Sequence, residues 1–117
     1  MEGNIVIYSR KSRFTGKGES IGNQTELCRE YIKLHFGEEA LEETFLYEDE
    51  GFSGGNLKRP GFQRMMAFVR KGGCRAIVVY RLDRISRNIS DFAGLIEELS
   101  ALGTAFISIR EQFDTGT

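Results

Sequence analysis

The sequence predicts an α/β fold: a mainly parallel sheet with helices on both faces. Three observations carry this. Four short apolar segments suit strands, stretches with helical spacing or helix-end signals separate them, and the connections are too long for hairpins. Crossovers of helical length return the chain to the same end of the sheet, so the strands pair in parallel. With 117 residues, 40% hydrophobic and 28% charged, the chain fits one ordinary packed domain.

Residues 4–8 (NIVIY) form a nearly continuous apolar run, suited to a strand covered on both faces. Residues 12–22, rich in Gly, Ser, Lys and Thr, read as a loop. A helix fits 24–36, with Leu27, Cys28, Tyr31, Ile32 and Leu34 mainly on one side; Asn23 and Glu26 supply a start signal and Gly37 a stop. Residues 44–47 suit a second strand and 48–60 a glycine-bearing loop. Pro60 fits a first helical turn, and Phe62, Met65, Met66 and Val69 follow at helical spacing as far as Gly72 and Gly73. Residues 76–80 (AIVVY) are the most strand-like in the chain. A helix over 90–102 presents Phe92, Ala93, Ile96 and Leu99, and Ser86 is a candidate cap ahead of it. Gly103 ends that helix, and 104–109 (TAFISI) form the last strand.

Net charge is −1 and the isoelectric point is near 5.9, which argues against a nucleic-acid-gripping surface on overall composition. No apolar run is long enough for a membrane span, and no secretory signal pattern opens the chain. Cys28 and Cys74 match no zinc spacing and are expected as buried thiols of a reducing compartment. His35 is alone, which excludes chemistry that needs two histidines.

Ligands of open α/β sheets bind at the carboxyl ends of the strands. Ser9, Arg10, Lys11 and Ser12 follow the first strand, and Asp49 to Gly54 (DEGFSG) follow the second, with Arg59 just beyond. Arg81 to Arg87 (RLDRISR) follow the third. The basic groups therefore converge although the chain is acidic. Arginine is a planar fork of donors that matches phosphate oxygens, and several around one phosphate stabilise a five-coordinate transition state without a metal. Asp49, Glu50 and Asp83 keep an acidic metal site open. A serine in a positive field can serve as nucleophile, and the residues alone leave Ser9, Ser12, Ser53 and Ser86 as candidates.

Tyr8 to Ser12 (YSRKS) resembles the Y-x-R-x-S motif that opens the serine recombinases, the resolvases, invertases and large integrases. DEGFSG resembles their second motif, Lys58 to Gly61 (KRPG) their R-P-G turn, and Leu82 to Arg87 (LDRISR) their L-D-R-x-x-R signature. The resemblance implies a resolvase-like catalytic core with Ser12 as nucleophile. Arg10, Arg59, Arg84 and Arg87 would be its phosphate-binding catalytic residues, and Asp83 either an acid–base group or an orienter of the arginines. Ser53 would lie near the scissile phosphate, with Gln24 supporting the site. Asp114 to Thr117 (DTGT) is similar to a D-T-x-T segment of the large class. The loop after Ser12 departs from the family, having Arg13 to Gly18 (RFTGKG) where glutamine-rich polar residues are common.

The activity implied by the resemblance is DNA recombination through a 5′-phosphoserine intermediate and a free 3′ hydroxyl, with no cofactor and no metal. The partners implied are double-stranded DNA, bound through the full-length protein, and further copies of the chain as homodimer and synaptic homotetramer, with no membrane. The setting implied is the cytoplasm, on a bacterial or phage mobile element. Residues 1–117 are expected to be the N-terminal catalytic domain, cut before the family's long dimerisation helix and DNA-binding domains, which would account for the low isoelectric point. Two other readings are a phosphate- or nucleotide-binding α/β domain and a non-catalytic regulatory domain of the same fold. Gly16 to Ser20 (GKGES) hints at the former but has neither P-loop nor dinucleotide spacing. Phe14 and Phe52 are loop aromatics that suit a partner subunit or DNA.

Overall fold

The computed structural model describes residues 3–11, 21–50, 58–85 and 88–115. A five-stranded sheet runs in the order β2-β1-β3-β4-β5. Its strands are β1 (Asn4–Lys11), β2 (Thr44–Glu50), β3 (Cys74–Val79), β4 (Ala105–Ser108) and β5 (Phe113–Asp114). The first four pair in parallel, and β5 closes one edge antiparallel to β4. The helices are α1 (Ile21–Phe36), α2 (Glu38–Glu42), α3 (Pro60–Arg70) and α4 (Ile89–Leu102), and a 3-10 turn, Leu82–Arg84, follows β3.

The apolar strand runs are explained by burial on both faces. In β1, Val6 and Tyr8 join Phe62, Met65, Met66 and Val69 of α3 and Leu95 and Leu99 of α4 in one core. Ile5 and Ile7 point the other way and join Cys28 and Ile32 of α1 in a second. Burying each large apolar side chain stabilises the fold by about 1.5–3 kcal/mol. Both cysteines are free and buried, as expected. Burial pushes the Cys28 thiol up to about 12, and burial likewise raises Cys74 to about 11.

Several boundaries differ from the sequence reading. β1 runs three residues further, because Ser9, Arg10 and Lys11 keep register with Glu48, Asp49 and Glu50; β2 lengthens for the same reason. α1 begins at Ile21, so Asn23 sits inside its first turn rather than at its cap. Leu34 is 81% exposed, off the buried stripe of Cys28 and Ile32. After Gly37 a short helix, α2, was not anticipated, since its acidic residues bury nothing. Ala93 is exposed, and Leu95 takes the core position with Leu99. Asn88 caps α4, its Oδ1 accepting the N–H groups of Ser90 and Asp91, whereas Ser86 lies outside the described residues. β5 was also unforeseen.

Candidate active site

In the strand order 2-1-3-4, the connections leave β1 and β3 in opposite directions. A crevice therefore opens at their carboxyl ends. Arg10 rides out on β1, and the 3-10 turn bearing Arg84 follows β3 directly. Arg59 arrives from outside the sheet as the residue before α3, in an extended conformation set by Pro60. These three arginines, far apart in sequence, meet at this point.

The contacts are specific. Arg10 Nε donates to the Arg84 carbonyl at 3.2 Å, and Arg59 Nη1 donates to the same carbonyl at 2.8 Å. Arg59 Nη2 donates to the Ile85 carbonyl. Arg10 and Arg59 are buried, at 1% and 2% exposure, whereas Arg84 is partly exposed. Burying a guanidinium is costly unless donors are satisfied, so the turn carbonyls and the neighbouring side chains fix its position. Burial lowers the Arg59 pKa, and the adjacent Tyr8 and Asp49 oppose that shift.

A buried hub stands behind Arg59. Its Nη1 also donates to the Tyr8 hydroxyl oxygen at 3.1 Å, and that hydroxyl donates to Asp49 Oδ2 at 2.6 Å. The same carboxylate accepts the Gly61 N–H at 2.8 Å on Oδ1 and the Phe62 N–H at 2.9 Å on Oδ2. Asp49 thus anchors the first turn of α3, where a helix welcomes negative charge. The Arg59 guanidinium also packs 5.5 Å from the Tyr8 ring centroid and 5.4 Å from that of Phe62. Burial pushes the Tyr8 pKa well above the ordinary phenol range; Arg59 opposes this and Asp49 adds to it.

Gln24 lies behind the site rather than in it. It is fully buried in α1; its Oε1 accepts the Arg10 N–H at 3.3 Å and its Nε2 donates to the Arg10 carbonyl at 3.1 Å. Pairing of β1 with β3 ends at Tyr8 and Val79, and the Gln24 amide takes up the next backbone groups as a strand would. The amide thus holds the Arg10 backbone, which is a supporting role for the site. Ser9, one of the candidate nucleophiles, is buried against Thr25 at 3.2 Å between hydroxyl oxygens.

Of the residues singled out in the sequence, Arg10, Arg59 and Arg84 are brought together, with Gln24 supporting Arg10. Ser12, Ser53 and Arg87 lie outside the described residues, as do Phe14, Phe52 and the loop of 16–20. Asp83 is placed by its backbone in the 3-10 turn, and its side chain is outside the described set. Sequence reasoning underrated Tyr8 and Asp49. An aspartate at a strand end, twelve residues before the glycine of a helix-opening Pro-Gly pair, is the signal that could have shown the anchor. Both Asp49 oxygens are engaged, by the Tyr8 hydroxyl and the Gly61 and Phe62 N–H groups, so it serves as a structural acceptor.

A family model, Resolvase, N terminal domain, matches residues 5–117. The chain belongs to that family, the catalytic domain of serine recombinases. The serine recombinase fold agrees in three dimensions with the N-terminal catalytic domain of TP901-1 integrase. The TM-score is 0.81 at 30% identity, over 97% of this chain and 82% of that one. The transposon Tn552 DNA-invertase BinR of Staphylococcus aureus is 46% identical over 59 residues, 50% of this chain and 30% of the invertase. A putative DNA recombinase of Bacillus subtilis is 32% identical over 111 residues, 93% of this chain and 21% of that protein. The chain thus spans less than a third of the length of either relative.

Proposed function

We propose that this recombinase domain cleaves and rejoins DNA at specific sites through a phosphoserine bond on Ser12. The observation that carries the reading is the meeting of Arg10, Arg59 and Arg84 at the carboxyl ends of β1 and β3. In the sequence Ser12 is the second residue after Arg10 and directly follows Lys11, the last residue of β1. In this reading the Ser12 hydroxyl oxygen attacks phosphorus and gives up its proton, the bond from phosphorus to the 3′ oxygen breaks, and that oxygen takes up a proton; rejoining is the reverse attack by the 3′ hydroxyl. Asp83 either supplies that proton or orients its arginine neighbours. The arginines lower the energy of the five-coordinate phosphorus by donating to its non-bridging oxygens. The carbonyls of Arg84 and Ile85 hold Arg59, and phosphate oxygens would compete for the same donors. Arg87 and Ser53 are assigned to the same phosphate.

Double-stranded DNA is the substrate, gripped through regions of the full-length protein beyond these residues. A homodimer and a synaptic homotetramer are the working assemblies, in the cytoplasm of a bacterial host. The phosphoserine conserves the energy of the broken bond, so the exchange runs without ATP or another cofactor.

The test uses the protein joined to its DNA-binding region and a matched DNA site. Under conditions that trap cleaved complexes, the wild type should form a protein–DNA adduct stable to denaturation, and Ser12→Ala should form none. An adduct that survives in Ser12→Ala would move the nucleophile elsewhere. No adduct in either, on DNA that is demonstrably bound, would favour a regulatory domain of the same fold.

A further inference from the structure

We propose that Glu111 is a positioning residue of the catalytic centre, holding the Leu82–Arg84 turn where Arg84 meets Arg10 and Arg59. The proposal rests on reading that centre as a DNA-cleaving site. Beyond the last residues of β3 and β4, the two chains stay bonded. The Ile109 N–H donates to the Val79 carbonyl at 3.0 Å, and the Arg110 N–H to the Tyr80 carbonyl at 2.9 Å. This extension sets Glu111 beside the chain as it leaves β3. Glu111 Oε1 accepts the Leu82 N–H at 3.2 Å and also accepts the hydroxyl proton of Ser108. Ser108 is fully buried, so its hydroxyl fixes the exposed carboxylate from below.

The turn is consequently gripped at both ends. A carboxylate takes its leading N–H, and the guanidinium groups of Arg10 and Arg59 take its trailing carbonyls. The charges match the polarity of the turn, negative at its N–H end and positive at its carbonyl end. A single turn of three residues has little stability of its own, so its place is set by such partners. Glu111 buries little surface here; what it contributes is one acceptor in a fixed position. In that reading Arg84 donates to the phosphate from this turn, and a small tilt of the turn would move Arg84 relative to the guanidinium groups of Arg10 and Arg59.

Glu111→Ala removes the acceptor, and Glu111→Gln keeps an oxygen in its place. In the 117-residue chain, hydrogen exchange at the Leu82 amide should quicken about tenfold in Glu111→Ala and stay near wild type in Glu111→Gln. In the protein with its DNA-binding region, adduct formation should slow about tenfold in Glu111→Ala at unchanged DNA affinity, and Glu111→Gln should restore most of the rate. Unaltered Leu82 exchange in Glu111→Ala overturns the proposal, as does faster exchange with an unchanged cleavage rate. If the wild type cleaves no DNA, the recombinase reading has failed, and Leu82 exchange still decides whether Glu111 holds the turn.

Discussion

Replacing Asp49 with alanine should remove the buried acceptor on which three elements converge. The carboxylate is 4% exposed and takes the Tyr8 hydroxyl at 2.6 Å and the Gly61 and Phe62 N–H groups at 2.8 and 2.9 Å. A hydrogen bond to a charged group contributes about 1.5–3 kcal/mol, and a buried donor left unpaired costs about 1–3 kcal/mol. Water entering the vacated space would satisfy some of the donors, so the loss falls below the simple sum, at about 3–5 kcal/mol. That is a third or more of the stability of an ordinary domain, about 5–15 kcal/mol. Urea unfolding followed by far-UV circular dichroism measures it directly. Glu50→Ala, the exposed neighbour, is the control and should change stability by less than about 0.5 kcal/mol. A loss under about 1 kcal/mol in Asp49→Ala would refute the anchoring role.

Three further outcomes are expected. Gln24→Ala leaves the Arg10 N–H and carbonyl without the amide that pairs them and should destabilise the chain by about 1–3 kcal/mol, read by the same unfolding assay. Gly61→Ala should cost more than a surface change, about 2–4 kcal/mol. A Cβ there would press into the Glu48 carbonyl oxygen and lie 2.9 Å from Asp49 Oδ1, so a thermal melt near wild type would contradict the packing. Stability should also fall in alkali. The Cys28 thiol has a folded pKa of about 12 against an ordinary 9.0, so above pH 9 the unfolded chain loses a proton that the folded chain keeps. The unfolding free energy then declines between pH 9 and 12 by up to about 1.4 kcal/mol per pH unit from this group, and Cys28→Ala should flatten the slope.

The layered fold could be read from the sequence because its strands are buried on both faces. Residues 4–8 and 76–80 carry continuous apolar runs for that reason. The strand ends were harder to read. Ser9, Arg10 and Lys11 and their partners Glu48, Asp49 and Glu50 are polar because they approach the site, yet parallel pairing keeps them in the sheet. Hydrophobic pattern stops where the chemistry begins. Helix faces were legible where the apolar stripe was strong, as in α3, and less so in α1 and α4, where Leu34 and Ala93 proved exposed. The convergence of Arg10, Arg59 and Arg84 was foreseeable from strand-exit logic. The Asp49–Tyr8–Arg59 chain was not, because it depends on α3 starting against the end of β2, a long-range approach that spacing does not encode. The role of Glu111 is hidden in the sequence for a similar reason: its partner Leu82 is 29 residues away.

In the proposed reaction one serine, Ser12, directly after Lys11 in the sequence, carries the covalent link to DNA. Mass spectrometry of peptides from the trapped protein–DNA adduct, after nuclease digestion, locates the phosphate. A phosphodiester-derived mass is expected on the peptide containing Ser12 and is expected to be absent from Ser9, Ser53 and Ser86. A modification on any of those three, or on a residue outside the strand exits, would contradict it.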